Sequence, residues 1–274
     1  MSLKNEFKKM IEKLSSRSTI PPVSTLFFPP FFKGGQQKDV QFMAIGLEGG
    51  ATGVSYVLLP DKKMEDYTTL KPDDFIGKNP KNLAFEFGNK DPIKEMMSLA
   101  AINAICQHVM KTTQFKVESA KDSLGLLAIS KGDRIGMVGL FPGLVKTIRD
   151  AGAQLIVIEK NELLIKKYPD LPIVMDAGKL KLCNKVLCTS TTILNNSLDS
   201  ILGNCSSDAF VSIVGPTAGY FPDPLFARGV DVVGGRVVKD GDQFMELLSQ
   251  RQRWGTATER TCFQKKTYTG MGLK

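Results

Sequence analysis

The stretch from Asp133 to Glu159, DRIGMVGLFPGLVKTIRDAGAQLIVIE, decides how the chain is read. An apolar run up to Val138 leads into a Gly/Pro turn. Leu144, Val145 and Ile148 then recur at helical spacing, and a second apolar run ends on the carboxylate of Glu159. Strand, turn, helix and strand in this order open a doubly wound α/β domain, in which ligands bind outside the carboxyl ends of the strands. A dinucleotide-binding turn carries glycines at G-x-G-x-x-G, the middle one letting the backbone approach a pyrophosphate. Here Phe141 stands at that place, between Gly139 and Gly143. The pattern therefore predicts a mainly parallel, Rossmann-like sheet without the fingerprint of a nucleotide cofactor.

Downstream, strands and helices keep alternating to about Gln250. Lys185 to Ser190, Ala209 to Val214 and Val230 to Val233 are short, apolar and β-branched, as buried parallel strands are. Their predicted carboxyl ends, with those of the first two strands, carry Gly139, Glu159, the hydroxyl run Thr189 to Thr192 followed by Asn195, and Gly215-Pro216-Thr217. In a parallel sheet these positions meet along one edge, which predicts one cleft lined with hydroxyls, an amide, a carboxylate and exposed backbone amides.

Upstream the pattern changes. Phe7, Met10, Ile11 and Leu14 predict a first helix that ends before Pro21-Pro22. Extended segments follow from Val23 to Phe28, Val40 to Leu47 and Val54 to Leu59, separated by glycine turns, and predict a small antiparallel sheet. Asp91-Pro92 reads as a helix N-cap with proline at the first helical position. The helix it opens, to about Lys111, is apolar nearly all round and is expected to be buried between layers, with Asn103 as the polar exception. The expected organisation is an α+β domain over 1–115, a Rossmann-like domain over 116–250, and a tail over 251–274 that packs back on the body through Trp254, Phe263 and Tyr268.

At 274 residues and 42% hydrophobic content the chain has material for a large core. No apolar run approaches the roughly 20 residues of a membrane-spanning helix, and the charged amphipathic start is unlike a signal peptide, so a cytoplasmic location is expected. The net charge of +8 is spread over scattered lysines without aromatic–basic stacking motifs, which speaks for a solvated surface and against nucleic acid. The cysteine count, five, is odd, and no CxxC pair occurs, so reduced thiols are expected. Cys183 and Cys188 have the wrong spacing for a zinc knuckle, and His108, the one histidine, is expected in the core of its helix. Nucleophile-elbow, phosphate-loop and zinc-helix motifs are absent, which disfavours the common hydrolases and nucleoside triphosphatases.

The combination of AAINA at 100–104, VGLFPG at 138–143, Val157-Ile-Glu159, TILNNS at 192–197 and VGPT at 214–217 followed by PDPLF at 222–226 resembles a family known as "putative heavy-metal chelation". The resemblance covers most of the chain from about Phe42 to Gln250. It implies an enolase-N-terminal-like domain joined to a Rossmann-like domain, with a composite site between them and a role in metal chelation.

The candidate ligand-binding residues are Asn103, Gly139, Glu159, Thr192, Asn195, Gly215, Pro216 and Thr217. Each also has a plain structural use. Glu159 ends a strand where an acidic group binds ribose hydroxyls, ligates a hard cation or serves as a base; its plain use is a solvated strand end, and its polar neighbours from other strands favour the functional one. It is the one candidate metal ligand. Asn195 suits an ordinary helix N-cap, Gly215-Pro216-Thr217 suits a turn, and Glu48 before Gly49-Gly50 suits a hairpin turn. Asn103, if buried without partners, would cost about 1–3 kcal/mol, so something satisfies it: a neighbouring loop or a ligand in the cleft.

Three classes of function stay open. The first is a protein that binds a metal ion or metal chelate in the interdomain cleft, with a divalent metal on oxygen ligands as the candidate cofactor. The second is an enzyme acting there on a small anionic or nucleotide-like compound, and the third is a basic scaffold for nucleic acid, which the missing stacking motifs oppose. The expected partner is a small molecule or chelate rather than a nucleic acid or membrane, with a homo-oligomer allowed for.

Overall fold

The computed structural model describes residues 1–30, 41–119 and 126–273. Helix α1 (Leu3–Arg17) buries Phe7, Met10, Ile11 and Leu14 as their spacing predicts, and the Ser2 side chain caps it by accepting from Asn5 N. Strands β1 (Val23–Phe27), β2 (Phe42–Leu47) and β3 (Thr52–Tyr56) form an antiparallel sheet in the order β1-β2-β3. β3 lies earlier than Val54 to Leu59. The tight turn at Gly49-Gly50, closed by a hydrogen bond from Leu47 N to Ala51 O, lets pairing begin at once, with Thr52 opposite Gly46. Val40, the start expected for β2, lies outside the described residues.

Two short helices, α2 (Met64–Thr68) and α3 (Pro80–Ala84), precede α4 (Pro92–Thr112), where Asp91 is the N-cap and Pro92 the first helical residue. α4 lies against β3 so closely that a Cβ built on Gly53 would stand 2.1 Å from Ala100 O. His108 departs from expectation. It is half-buried at the rim of α4, with Nε2 3.1 Å from Thr19 O, because its face of the helix meets the α1–β1 connection rather than the core.

The second sheet contains β4 (Glu118–Ser119), β5 (Arg134–Val138), β6 (Gln154–Ile158), β7 (Ile173–Val174), β8 (Lys185–Thr189), β9 (Phe210–Val214), β10 (Val232–Val238) and β11 (Thr258–Gln264). Their order is β4-β11-β10-β9-β8-β5-β6-β7. From β10 to β7 all neighbours are parallel, and β11 runs antiparallel to β10 and to β4. Between the strands lie α5 (Pro142–Asp150), α6 (Glu162–Lys167), α7 (Leu198–Gly203), α8 (Asp223–Phe226) and α9 (Gly241–Ser249). The chain is thus an α/β protein: a Rossmann-like, mainly parallel sheet preceded by a small α+β unit with a three-stranded antiparallel sheet.

Two features of this sheet differ from the sequence pattern. β10 continues past Val233 to Val238, because Gly234 and Gly235, which interrupt the apolar run, belong to the strand: a Cβ on Gly235 would stand 1.9 Å from Ala218 O. The segment after Gln250 supplies β11, paired with β10 from Val232↔Gln264 to Val238↔Thr258.

One continuous apolar core joins the two sheets, including Met43 and Ile45 of β2, Leu99 and Ile102 of α4, Tyr220 and Phe221, and Ile213 and Val233 of the large sheet. Polar groups of α4 fasten the same junction. Gln107 accepts from Val238 N at 2.9 Å, and Asn103 donates to Val54 O at 2.7 Å and to Thr217 O at 2.8 Å. Among the described residues, no helix is long and apolar enough to cross a membrane.

Candidate functional site

Strand order reverses between β5 and β8, since β6 and β7 extend to one side and β8, β9 and β10 to the other. Side connections diverge at such a point and leave a crevice at the carboxyl ends of the strands. A cleft of about 370 Å³ lies there, lined by residues following β5, β6 and β8. The small sheet closes its other side with Tyr56 and Leu58. Four of the predicted residues meet in it: Gly139, Glu159, Thr192 and Asn195.

Each is held by a local cause. Gly139 has φ 79°, a left-handed conformation that glycine adopts without strain, and a Cβ there would stand 2.7 Å from Thr189 Cγ2. Only glycine lets β5 turn this close to the end of β8. Glu159 accepts three backbone N–H bonds, from Leu140 at 3.2 Å and from Lys160 and Asn161 at 2.8 and 2.9 Å. Its carboxylate fastens the β5–α5 turn to the end of β6, with most of its acceptor capacity used inside the protein.

After β8 the chain enters a single 3₁₀ turn over Ser190–Thr192. The Thr189 hydroxyl accepts from Thr191 N at 3.3 Å and lies 3.0 Å from Thr191 Oγ1. Thr192 donates to Thr189 O at 2.8 Å. Asn195 does not cap α7, whose N-cap is Ser197. Its Oδ1 accepts from Ser197 N at 3.1 Å and from Ser197 Oγ at 2.6 Å, a side-chain turn one step before the helix. Among the described residues its amide hydrogens make no hydrogen bond.

Asn103, Gly215, Pro216 and Thr217 are not among the lining residues. They stand one layer behind. Asn103 is fully buried and bridges β3 and the β9–α8 loop through its amide hydrogens, which answers how it is satisfied on the donor side. Thr217 is 1% exposed, and its hydroxyl oxygen accepts from Tyr56 N at 3.2 Å. Gly215 packs on the turn after β8, where a Cβ would stand 2.2 Å from Ser190 Oγ. Pro216 is half-buried in the same loop. Local sequence marks Gly215, Pro216 and Thr217 as strand-end residues; of these, Thr217 meets the small sheet at Tyr56.

Among the lining residues that the sequence did not announce is Tyr56. Its presence follows from how the small sheet docks on the large one, which no local motif encodes. Burial, and after it the negative charge of Glu159, raises the Tyr56 phenol above its ordinary range. At neutral pH it is a neutral hydrogen-bond donor. Leu140, Phe141, Leu164 and Ile201 add apolar wall, and Asn161 and Lys160 stand at the rim beside Glu159.

The donor chemistry decides what kind of metal species fits. Among the described residues, no group of three or more His, Cys, Asp or Glu side chains is arranged to hold an ion. Burial pushes the thiols of Cys106 and Cys188 up to about 12 and that of Cys205 up to about 11, and also raises Cys183. Heavy and borderline metals bind thiolate and imidazole, whereas these thiols stay protonated at neutral pH. With one carboxylate already committed to backbone N–H groups, the cleft does not fit a bare heavy-metal ion. Glu48 lies elsewhere, in the hairpin turn that borders a separate groove of about 550 Å³.

Two family models match the chain, over residues 122–265 and 40–106, and both carry the description "Putative heavy-metal chelation". The first alone spans just over half of the sequence. The chain belongs to this family. A solved structure from Pyrococcus horikoshii, of unknown function, is 18% identical with a TM-score of 0.70 and matches 96% of this chain and 100% of its own. Another from Desulfitobacterium hafniense, also of unknown function, is 17% identical with a TM-score of 0.67 over 95% and 98% of the two chains. An uncharacterized protein of Methanocaldococcus jannaschii is 24% identical over 204 residues, 72% of this chain and 74% of the relative. At these identities the two solved structures speak for the fold alone.

Proposed function

We propose that the cleft at the ends of β5, β6 and β8 binds a small organic molecule, and that the metal of the family description reaches it already held by an organic chelator. The observation that carries this reading is the mismatch between the family's description and the lining. Hydroxyls, an unused amide, a neutral phenol and apolar walls suit the oxygen atoms and carbon frame of a chelate. They offer a bare ion neither the charge nor the soft donors it needs. Residues from both sheets line the cleft, so a ligand there would touch both.

Thermal unfolding with nickel(II) citrate, nickel(II) chloride and citrate alone tests this. A ligand of the native state at about 100 times its Kd adds roughly 2.7 kcal/mol, enough to raise the midpoint by several degrees. The expected result is a rise with nickel citrate, none with nickel chloride, and loss of the rise in the Glu159→Gln/Asn195→Ala variant. A rise with nickel chloride that survives in that variant contradicts the reading. A rise only with NAD or S-adenosylmethionine moves the function to the enzyme class, acting on a nucleotide-like ligand in the same cleft.

A further inference from the structure

We infer that the loop Gly215-Pro216-Thr217, together with Asn103, positions the two walls of the cleft relative to each other, with Thr217 setting where Tyr56 stands. Among the described residues β3 is an edge strand of the small sheet, so its outward N–H and C=O groups have no strand there to pair with. The bond from Val57 N to Gln41 O turns the alternate groups, those of Tyr56 and Val54, away from β2. Two of these outward groups are taken up by side chains at the junction. Tyr56 N donates to Thr217 Oγ1, and Val54 O accepts from Asn103 Nδ2, which also donates to Thr217 O.

The same loop reaches the opposite wall. Gly215 lies against Ser190, within the hydroxyl turn that presents Thr189, Thr191 and Thr192 to the cleft. A three-residue loop thus touches Ser190 at one end and Tyr56 at the other, and both anchors, Ser190 and Thr217, are 1% exposed. Buried, hydrogen-bonded anchors of this kind hold a half-exposed ring in one place. The consequence for binding rests on the cleft being the ligand site; the placement of Tyr56 does not.

The experiment compares the full chain with its Thr217→Val and Thr217→Ser variants. Tyr56 is followed by NMR of ring-labelled tyrosine, its resonance assigned through Tyr56→Phe, and nickel citrate affinity is measured alongside. Valine keeps the shape and removes the acceptor, whereas serine keeps it. The expected result is that Thr217→Val lowers the Tyr56 titration midpoint towards that of free tyrosine and weakens nickel citrate about tenfold, while Thr217→Ser retains both wild-type values. An unchanged Tyr56 midpoint in Thr217→Val, or an equal change in Thr217→Ser, overturns the inference. If nickel citrate fails to bind the wild type, the chelate reading falls and the Tyr56 titration still tests the loop. Should Thr217→Val not fold, hydrogen exchange of wild-type Tyr56 N–H decides: protection comparable to that of the β2–β3 ladder supports the inference, and exchange as fast as an exposed amide overturns it.

Discussion

Glu95 and Glu159 are two acidic residues in opposite circumstances. Glu159 is half-exposed and engaged by three N–H donors, so it works as a fastener of the turn beside the cleft. Glu95 sits on α4 with 2% exposure; one carboxylate oxygen accepts from Gly88 N at 2.6 Å and the other has no hydrogen-bond partner among the described residues. Burial pushes it up to about 7, against the opposing pull of the Gly88 and Asn89 amides and the Lys4 charge. Its folded value lies above the unfolded one, near 4.3 for glutamate. Its contribution to stability is therefore full below that unfolded value and is lost as pH rises through about 7. Glu95→Gln is expected to be more stable than wild type by about 1–3 kcal/mol at pH 8, with the difference vanishing towards pH 4–5. Urea unfolding at several pH values checks this, and a constant difference across that range would contradict it.

Among elements, α4 shows what packing demands of sequence. Its nearly uniform apolarity announces burial between layers, and the structure places it against β3 at Gly53, where a Cβ would meet Ala100 O at 2.1 Å and Ala104 N at 2.2 Å. Neither backbone atom moves without moving the helix. Gly53→Ala is expected to cost at least the upper end of about 1–3 kcal/mol. Gly203→Ala, where a Cβ meets nothing within 4 Å, is expected to be neutral or slightly stabilising. Chemical denaturation of the two variants provides the check. The strands of the large sheet were legible because apolar, β-branched runs ended at turn residues. The apolar run of β10 stops at Gly234 although the strand does not, because Gly235 serves a close backbone approach to Ala218 rather than propensity. Asn103 was legible as a problem, an amide on an apolar helix. Its solution was not, since both acceptors lie in segments far away in sequence.

At the scale of the whole molecule, the topology brought Gly139, Glu159, Thr192 and Asn195 into one cleft, as the rule for open α/β sheets requires. That rule describes a sheet edge open to solvent. It does not separate the lining from Gly215, Pro216 and Thr217, which lie outside it, and it gives no sign of Tyr56, which the small sheet supplies. The family is described by heavy-metal chelation, yet burial raises the thiols of Cys106, Cys183, Cys188 and Cys205 and keeps them protonated at neutral pH, which is why the proposed ligand is a chelate rather than a bare ion. The most direct measurement is chemical-shift mapping of the labelled full chain with nickel(II) citrate, using a diamagnetic zinc(II) citrate control. With the chelate seated in this cleft, amide shifts concentrate at Gly139 to Phe141, Glu159 to Asn161 and Thr189 to Asn195, together with Tyr56. Shifts confined to residues outside this cleft, or larger shifts with the uncomplexed ions than with their citrate complexes, would contradict this placement.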